Sequence, residues 1–330
     1  VADTSTDPAL RATDEGLRGD VSVPTWLGSR YRVSRVLGRG GMGAVYLAVD
    51  EALGAEVALK QLTITTQGDA FARVRDEVRL AQKVTHQNVC RTYDLEDIDG
   101  HWLVKMEYIA GETLAQRLRA GRLPVTEVVR IARGICAGLA AAHAQGVVHR
   151  DLKPLNVMLE AGTGRVVLMD FGLARPAANA GKTADEISGT PEYMAPEQVR
   201  GREVDGRADL YALGCVLYEM LAGAQVFPRV SSAMAAALQH VELPAPALPR
   251  RVPAGLRRLV AQLLDKDPER RPESADQVAA QLAGAARRRG RIGVALGAVA
   301  AAAVAAAVAL RPAPAWRPRV VDLPAFDEDS

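Results

Sequence analysis

The chain has 330 residues, 41 Lys and Arg against 39 Asp and Glu, a formal charge of +2 and 48% hydrophobic residues. That length holds one large or two ordinary domains. The near balance of charge speaks against a generic nucleic-acid binder, which would carry a basic excess.

Residues 1–30 are rich in Asp, Thr, Ser and Pro and are expected to form a disordered lead-in. Residues 1–24 have no apolar core, so no signal peptide is expected there. Val1 in place of Met fits an alternative start codon or a trimmed end, and the sequence does not decide between them. Cys90, Cys136 and Cys215 lie far apart among apolar or helix-forming neighbours. Their odd number and lack of metal-like spacing predict reduced, mostly buried thiols, with a reactive thiol as the other reading.

From Tyr31 to Leu37 the residues alternate as in a half-buried strand. Gly38, Arg39, Gly40, Gly41, Met42, Gly43, Ala44 and Val45 then spell G-x-G-x-x-G-x-V. Glycines there leave backbone amides open to phosphate oxygens. The strand pattern from Val45 to Val49 follows this run, where a dinucleotide fold would need a helix. Lys60 ends the apolar stretch Val57-Ala58-Leu59, and a buried lysine needs an anion beside it. Phe71, Val74, Val78 and Ala81 make a helical stripe, with Glu77 beside it. On pattern alone, Asp76 and Glu77 also read as solvated charges. Val89–Leu95 and His101–Tyr108 read as a strand pair turned by Asp99-Gly100.

Strand patterns then give way to helices, beginning with a long one from Val125 to Gln145. Next comes His149, Arg150, Asp151, Leu152, Lys153, Pro154, Leu155 and Asn156. Its apolar flanks, Val147-Val148 and Val157-Met158-Leu159, are expected to bury as two short strands holding a polar loop. Within six residues this loop has a carboxylate to orient a hydroxyl, a cation for developing phosphate charge and an amide that can hold a metal. Val166–Met169 reads as a buried strand ending in Asp170-Phe171-Gly172. Residues 173–194 are polar and without clear period, as in a long functional loop.

The order H-R-D-L-x-x-x-N resembles the catalytic loop of protein kinases. With the glycine-rich run, the V-A-L-K strand, D-F-G and Ala195-Pro196-Glu197, the chain is most similar to bacterial Hanks-type serine/threonine kinases. The resemblance implies an α+β, two-lobed protein kinase fold over residues 31–284. A small β-rich N-lobe (about 31–109) would precede a larger helical C-lobe (about 110–284).

By resemblance, the glycine-rich residues with Leu37, Val45, Ala58, Met106, Glu107, Ile109 and Met158 would bind ATP. Met106 would be the gatekeeper, and the hinge backbone at Glu107, Tyr108 and Ile109 would meet adenine. Lys60, fixed by Glu77, would position phosphates. Asn156 and Asp170 would hold Mg2+, and Asp151 with Lys153 would serve the acceptor hydroxyl. Asp209 would hold the catalytic-loop backbone, and Arg271 would pair with Glu197. Lys153 and Gly189-Thr190 favour Ser/Thr over Tyr substrates, and Thr190 would lie against Asp151 and Lys153. Thr183 and Ser188 are the expected phosphorylated switch residues, with the Arg150 guanidinium as their anchor. Leu155 departs from the usual acid, at a position without a chemical role. An ATP-binding pseudokinase scaffold is the alternative, and the filled catalytic positions speak against it.

Residues 287–291 are strongly basic, and residues 292–310 are an uncharged run of 19, ten of them Ala. At ~1.5 Å per residue the run reaches ~28 Å, about a bilayer core. A single transmembrane helix is expected over 292–310, after a basic juxtamembrane segment (285–291). The kinase would face the cytoplasm, with a short tail (311–330) outside. A soluble Ala-rich helix is the other reading. Gly293-x-x-x-Gly297 is a small-residue pair of the kind that packs two helices, and a homodimer would suit trans-autophosphorylation. The expected partners are ATP, protein substrates with Ser/Thr acceptors, and the membrane, with no nucleic acid.

Overall fold

The structure, a computed structural model, describes residues 24–40, 43–62, 69–171 and 191–284. Gly41, Met42, Gly172, Thr183, Ser188, Gly189, Thr190 and the whole stretch 285–330, with the expected membrane span, lie outside the described residues. Among the described residues no helix is long and apolar enough to cross a membrane.

The N-terminal part is a six-stranded antiparallel sheet in the order β1-β2-β3-β4-β6-β5. Its strands are β1 (Trp26–Leu27), β2 (Tyr31–Gly40), β3 (Gly43–Asp50), β4 (Ala55–Gln61), β5 (Thr92–Ile98) and β6 (His101–Glu107). One correction concerns where order begins. Trp26 and Leu27 form a strand paired with Arg32 and Tyr31, ahead of the expected start at Tyr31. The apolar pair is drawn in because Leu27 can bury beside Tyr31, Tyr46 and Leu103, and Gly28 (φ 56°) turns the chain back.

Alternation along the strands sorts the two faces. Tyr46 and Ala48 of β3, Val57 and Leu59 of β4 and Leu103 of β6 pack into one cluster. Val45, Ala58, Val104 and Met106 face the other way into a second cluster. Lys60 lies two residues beyond Ala58, so it shares the face of this second cluster. Helix α1 (Asp69–Lys83) supplies Val74, Val78 and Ala81 to the same cluster. Its Phe71 ring meets Trp102 at 4.4 Å. The stripe seen in the sequence is therefore its packing face. Asp99 (φ 54°) and Gly100 (φ 78°) make the expected tight turn between β5 and β6.

The remainder is mostly helical. It holds α2 (Leu114–Leu118), α3 (Val125–His143), α4 (Pro196–Val199), α5 (Gly206–Ala222), α6 (Ala233–Glu242) and α7 (Ala254–Leu263). An eighth helix, α8, occupies residues 275–284. A small sheet of β7 (Gly111–Thr113), β8 (Val157–Glu160) and β9 (Val166–Leu168) lies among them. Helix α5 is buried almost all round, as its apolar composition requires. Asp205 caps its start, and Gly223 (φ 82°) ends it in a left-handed turn. Gly138 lets α3 approach the rest closely: a Cβ there would lie 2.7 Å from the Asn88 carbonyl oxygen.

Val147-Val148 is the second correction. Val147 is buried, but the pair forms no strand, and Val147 N donates back to Ala142 O at 3.0 Å. Val147 can bury without a ladder because the end of α3 already takes its N–H.

Candidate active site

The loop between α3 and β8 is fixed from beneath by Asp209, a buried acid in the first turn of α5. Its Oδ2 accepts from His149 N and lies 2.8 Å from His143 Nε2, and its Oδ1 accepts from Arg150 N at 2.8 Å. This is the structural role expected of it. A buried carboxylate is costly unless it is met by donors, and here it meets three. His149 is buried and its ring lies against Phe171, with centroids 4.5 Å apart. Its Nδ1 accepts from Asp151 N (3.3 Å), so Nε2 carries the hydrogen that reaches Met169 O (2.9 Å).

Asp151 stands on this frame. Its Oδ2 lies 2.9 Å from Lys153 Nζ and 3.1 Å from Asn156 Nδ2. The same Nδ2 also donates to the Asp151 carbonyl (2.8 Å). With Nδ2 turned toward Asp151, the acceptor atom of the Asn156 side chain is Oδ1. Met169 N donates to Asn156 O at 2.9 Å, which sets Asn156 beside Asp170. Asp170 adopts φ 56°, an unusual backbone for a non-glycine residue. Its Oδ1 lies 2.6 Å from Lys60 Nζ.

That pair differs from the sequence expectation, which gives Lys60 to Glu77. Glu77 stands half-buried on α1, beside Val78. The close contact of Lys60 is with a carboxylate 110 residues away. Opposite charges facing across a partly desolvated cleft attract strongly, and Lys60 is mostly buried.

Val45, Ala58, Met106, Ile109 and Met158 come together in the second apolar cluster, with Val104 and Cys90. In register, Ala58 pairs with Met106 and Val45 with Lys60. Ala44 packs on the opposite cluster, so its side chain does not join this apolar wall. Leu37 is exposed. Strands β2 and β3 pair antiparallel up to Gly40 and Gly43. A Cβ on Gly38 would meet nothing within 4 Å. At the end of β6, where the hinge is expected, Glu107 N donates to Arg91 O at 2.9 Å, and Cys90 Sγ lies 3.5 Å from Glu107 O.

The donor set fits magnesium. Asn156 and Asp170 offer oxygen, and magnesium binds through one or two such groups with substrate phosphates completing its shell. The apolar wall fits a flat base, and Lys60 at its edge fits phosphate.

Farther out, Arg271 meets Glu197 in a buried fork, Nη1 to Oε1 at 2.7 Å and Nη2 to Oε2 at 2.8 Å, as expected. Two linking residues escape sequence reasoning. Arg165 Nη2 lies 2.7 Å from Glu107 Oε1 and 2.9 Å from Glu160 Oε1, and its Nη1 donates to Gln87 O (3.2 Å). Gln198 Nε2 donates to the Arg150 carbonyl at 3.0 Å. Neither residue belongs to an apolar period or a motif.

The protein kinase domain family matches residues 31–282. The chain belongs to the protein kinase family. It is 40% identical over 273 residues to the serine/threonine-protein kinase pkn2 of Myxococcus xanthus, covering 78% of this chain and 33% of that protein. It is 35% identical over 275 residues to the serine/threonine-protein kinase PknB of Mycobacterium tuberculosis, covering 79% of this chain and 44% of PknB. This kinase chain thus spans less than half the length of these curated relatives. The crystal structure of the Mycobacterium tuberculosis PknI kinase domain superposes with a TM-score of 0.64 at 29% identity, covering 80% of this chain and 99% of that one.

Proposed function

We propose that this protein is a serine/threonine protein kinase that moves the γ-phosphoryl group of ATP to Ser or Thr hydroxyls of proteins, itself included. The observation that carries this reading is the Asp151 carboxylate, held by Lys153 and Asn156 beside the Lys60–Asp170 pair. Asp151 is suited to orient an acceptor hydroxyl and take its proton. Lys153 sits against it to offset negative charge on the transferring group, and Lys60 to position phosphates. Asn156 and Asp170 would hold Mg2+, which supplies charge neutralisation at the phosphate oxygens when bound. The named relatives support Ser/Thr acceptors.

Purified protein incubated with Mg-ATP should label Ser- and Thr-containing acceptor peptides and its own chain, and phosphoamino-acid analysis should recover phosphoserine or phosphothreonine. Phosphotyrosine alone would overturn the acceptor class.

The reading extends to control and place. Phosphate on Thr183 or Ser188 would add roughly −1.5 to −2 charge in the segment after D-F-G, which is suited to order it. Changing both residues to Ala should lower transfer to an added substrate while ATP still binds; full activity would remove this switch. The uncharged run 292–310 with its basic flank supports a single-pass membrane anchor in membrane-linked signalling. Deleting 287–330 should move active enzyme from the membrane to the soluble fraction, and a full-length protein already soluble without detergent would contradict the anchor.

A further inference from the structure

We propose that Gln198 is a positioning residue for Asp151, holding the peptide plane on which the catalytic acid stands. The role rests on the kinase reading above. Arg150, just before Asp151, has φ 64°, a left-handed backbone that a non-glycine side chain rarely adopts. Such a backbone persists only where its surroundings over-determine it. Its N–H is held by Asp209 of α5 at 2.8 Å. Its carbonyl is held by Gln198 of α4 at 3.0 Å.

That carbonyl and the N–H of Asp151 belong to one planar peptide group. The N–H edge reaches His149 Nδ1 at 3.3 Å, a long bond. Of the two bonds to this plane among the described residues, Gln198 supplies the shorter. The Asp151 side chain, held against Lys153 and Asn156, projects from the backbone that this peptide plane steadies. Gln198 also follows directly on Glu197, which the buried Arg271 fork fixes. The clamp on the catalytic loop is thus anchored by the same short helix.

Gln198 has a second bond: its Oε1 accepts from Ala195 N at 3.0 Å, capping α4. The two bonds can be separated. Gln198→Glu keeps an acceptor for Ala195 N and removes the donor to Arg150 O. Gln198→Met removes the donor without adding charge.

Both variants should lower kcat by roughly 3- to 10-fold, the loss of one neutral hydrogen bond, with KM for ATP unchanged. In Gln198→Glu the melting temperature should stay at the wild-type value. Hydrogen exchange at the Asp151 amide should speed up by a similar factor, and that at Ala195 should not. A Gln198→Glu variant with wild-type exchange at Asp151 overturns the proposal, whatever its kcat. Wild-type kcat in both variants overturns it as well. Should the wild-type chain transfer no phosphate, the kinase reading fails separately, and the exchange comparison still decides whether Gln198 holds the plane.

Discussion

Lys60 Nζ and Asp170 Oδ1 lie 2.6 Å apart, joining the apolar strand β4 to the residue that follows β9 and Met169. The pair brings the cation proposed for phosphate and the carboxylate proposed for magnesium to one point. Lys60→Ala should lower kcat/KM for ATP-dependent transfer by roughly 10²–10³-fold, the range for losing one preorganised donor at a reacting group. The fold should persist, because Asp170 is part-exposed and water can replace the lysine. Steady-state kinetics and a thermal melt check both statements.

Arg165 ties Glu107, at the end of β6 in the expected hinge, to Glu160 and to the Gln87 carbonyl. Hydrogen bonding to these carboxylates raises its pKa, with Glu160 the larger influence, and Arg165 holds Glu160 below its ordinary value. Arg165→Met should raise KM for ATP several-fold through a looser hinge, with kcat at saturating ATP near wild type. An unchanged KM in initial-rate measurements would show that the tether does not set the nucleotide site.

His240 is buried against Phe227 and Tyr211, and its Nδ1 lies 3.1 Å from Tyr211 Oη. Burial pushes its pKa down to about 4, with Lys266 adding to the shift. Between about pH 4 and its unfolded value near 6.5 the unfolded chain binds this proton and the folded chain does not, so stability rises with pH across that window. The contribution is complete above about pH 6.5 and is lost by about pH 4. Its size is about 3 kcal/mol. Urea unfolding at several pH values should show this slope, and His240→Gln should flatten it relative to wild type.

Much of the site is legible in sequence because its parts are local. Ala58 and Lys60 share a face by strand alternation, and the loop from His149 to Asn156 carries its own chemistry in order. The α1 stripe is a period that packing then uses. The partner of Lys60 is not local: its carboxylate is 110 residues away, and no periodicity encodes that distance. Arg165 and Gln198 act through single polar contacts across the fold, which leave no pattern. Val147-Val148 shows the opposite limit. Two apolar residues signal burial, but they are too few to signal a strand. The start at Trp26 was hidden by a polar lead-in, since a two-residue strand has no alternation to read.

The central claim is that Asp151 orients the acceptor hydroxyl in phosphoryl transfer. Single-turnover transfer from γ-labelled ATP to a Ser/Thr peptide tests it most directly, comparing wild type with Asp151→Asn at equal ATP occupancy. Losing a positioned general base predicts a fall of roughly 10²–10⁴-fold in the transfer rate, with ATP binding and melting temperature retained. Transfer at the wild-type rate by folded, ATP-bound Asp151→Asn would contradict it.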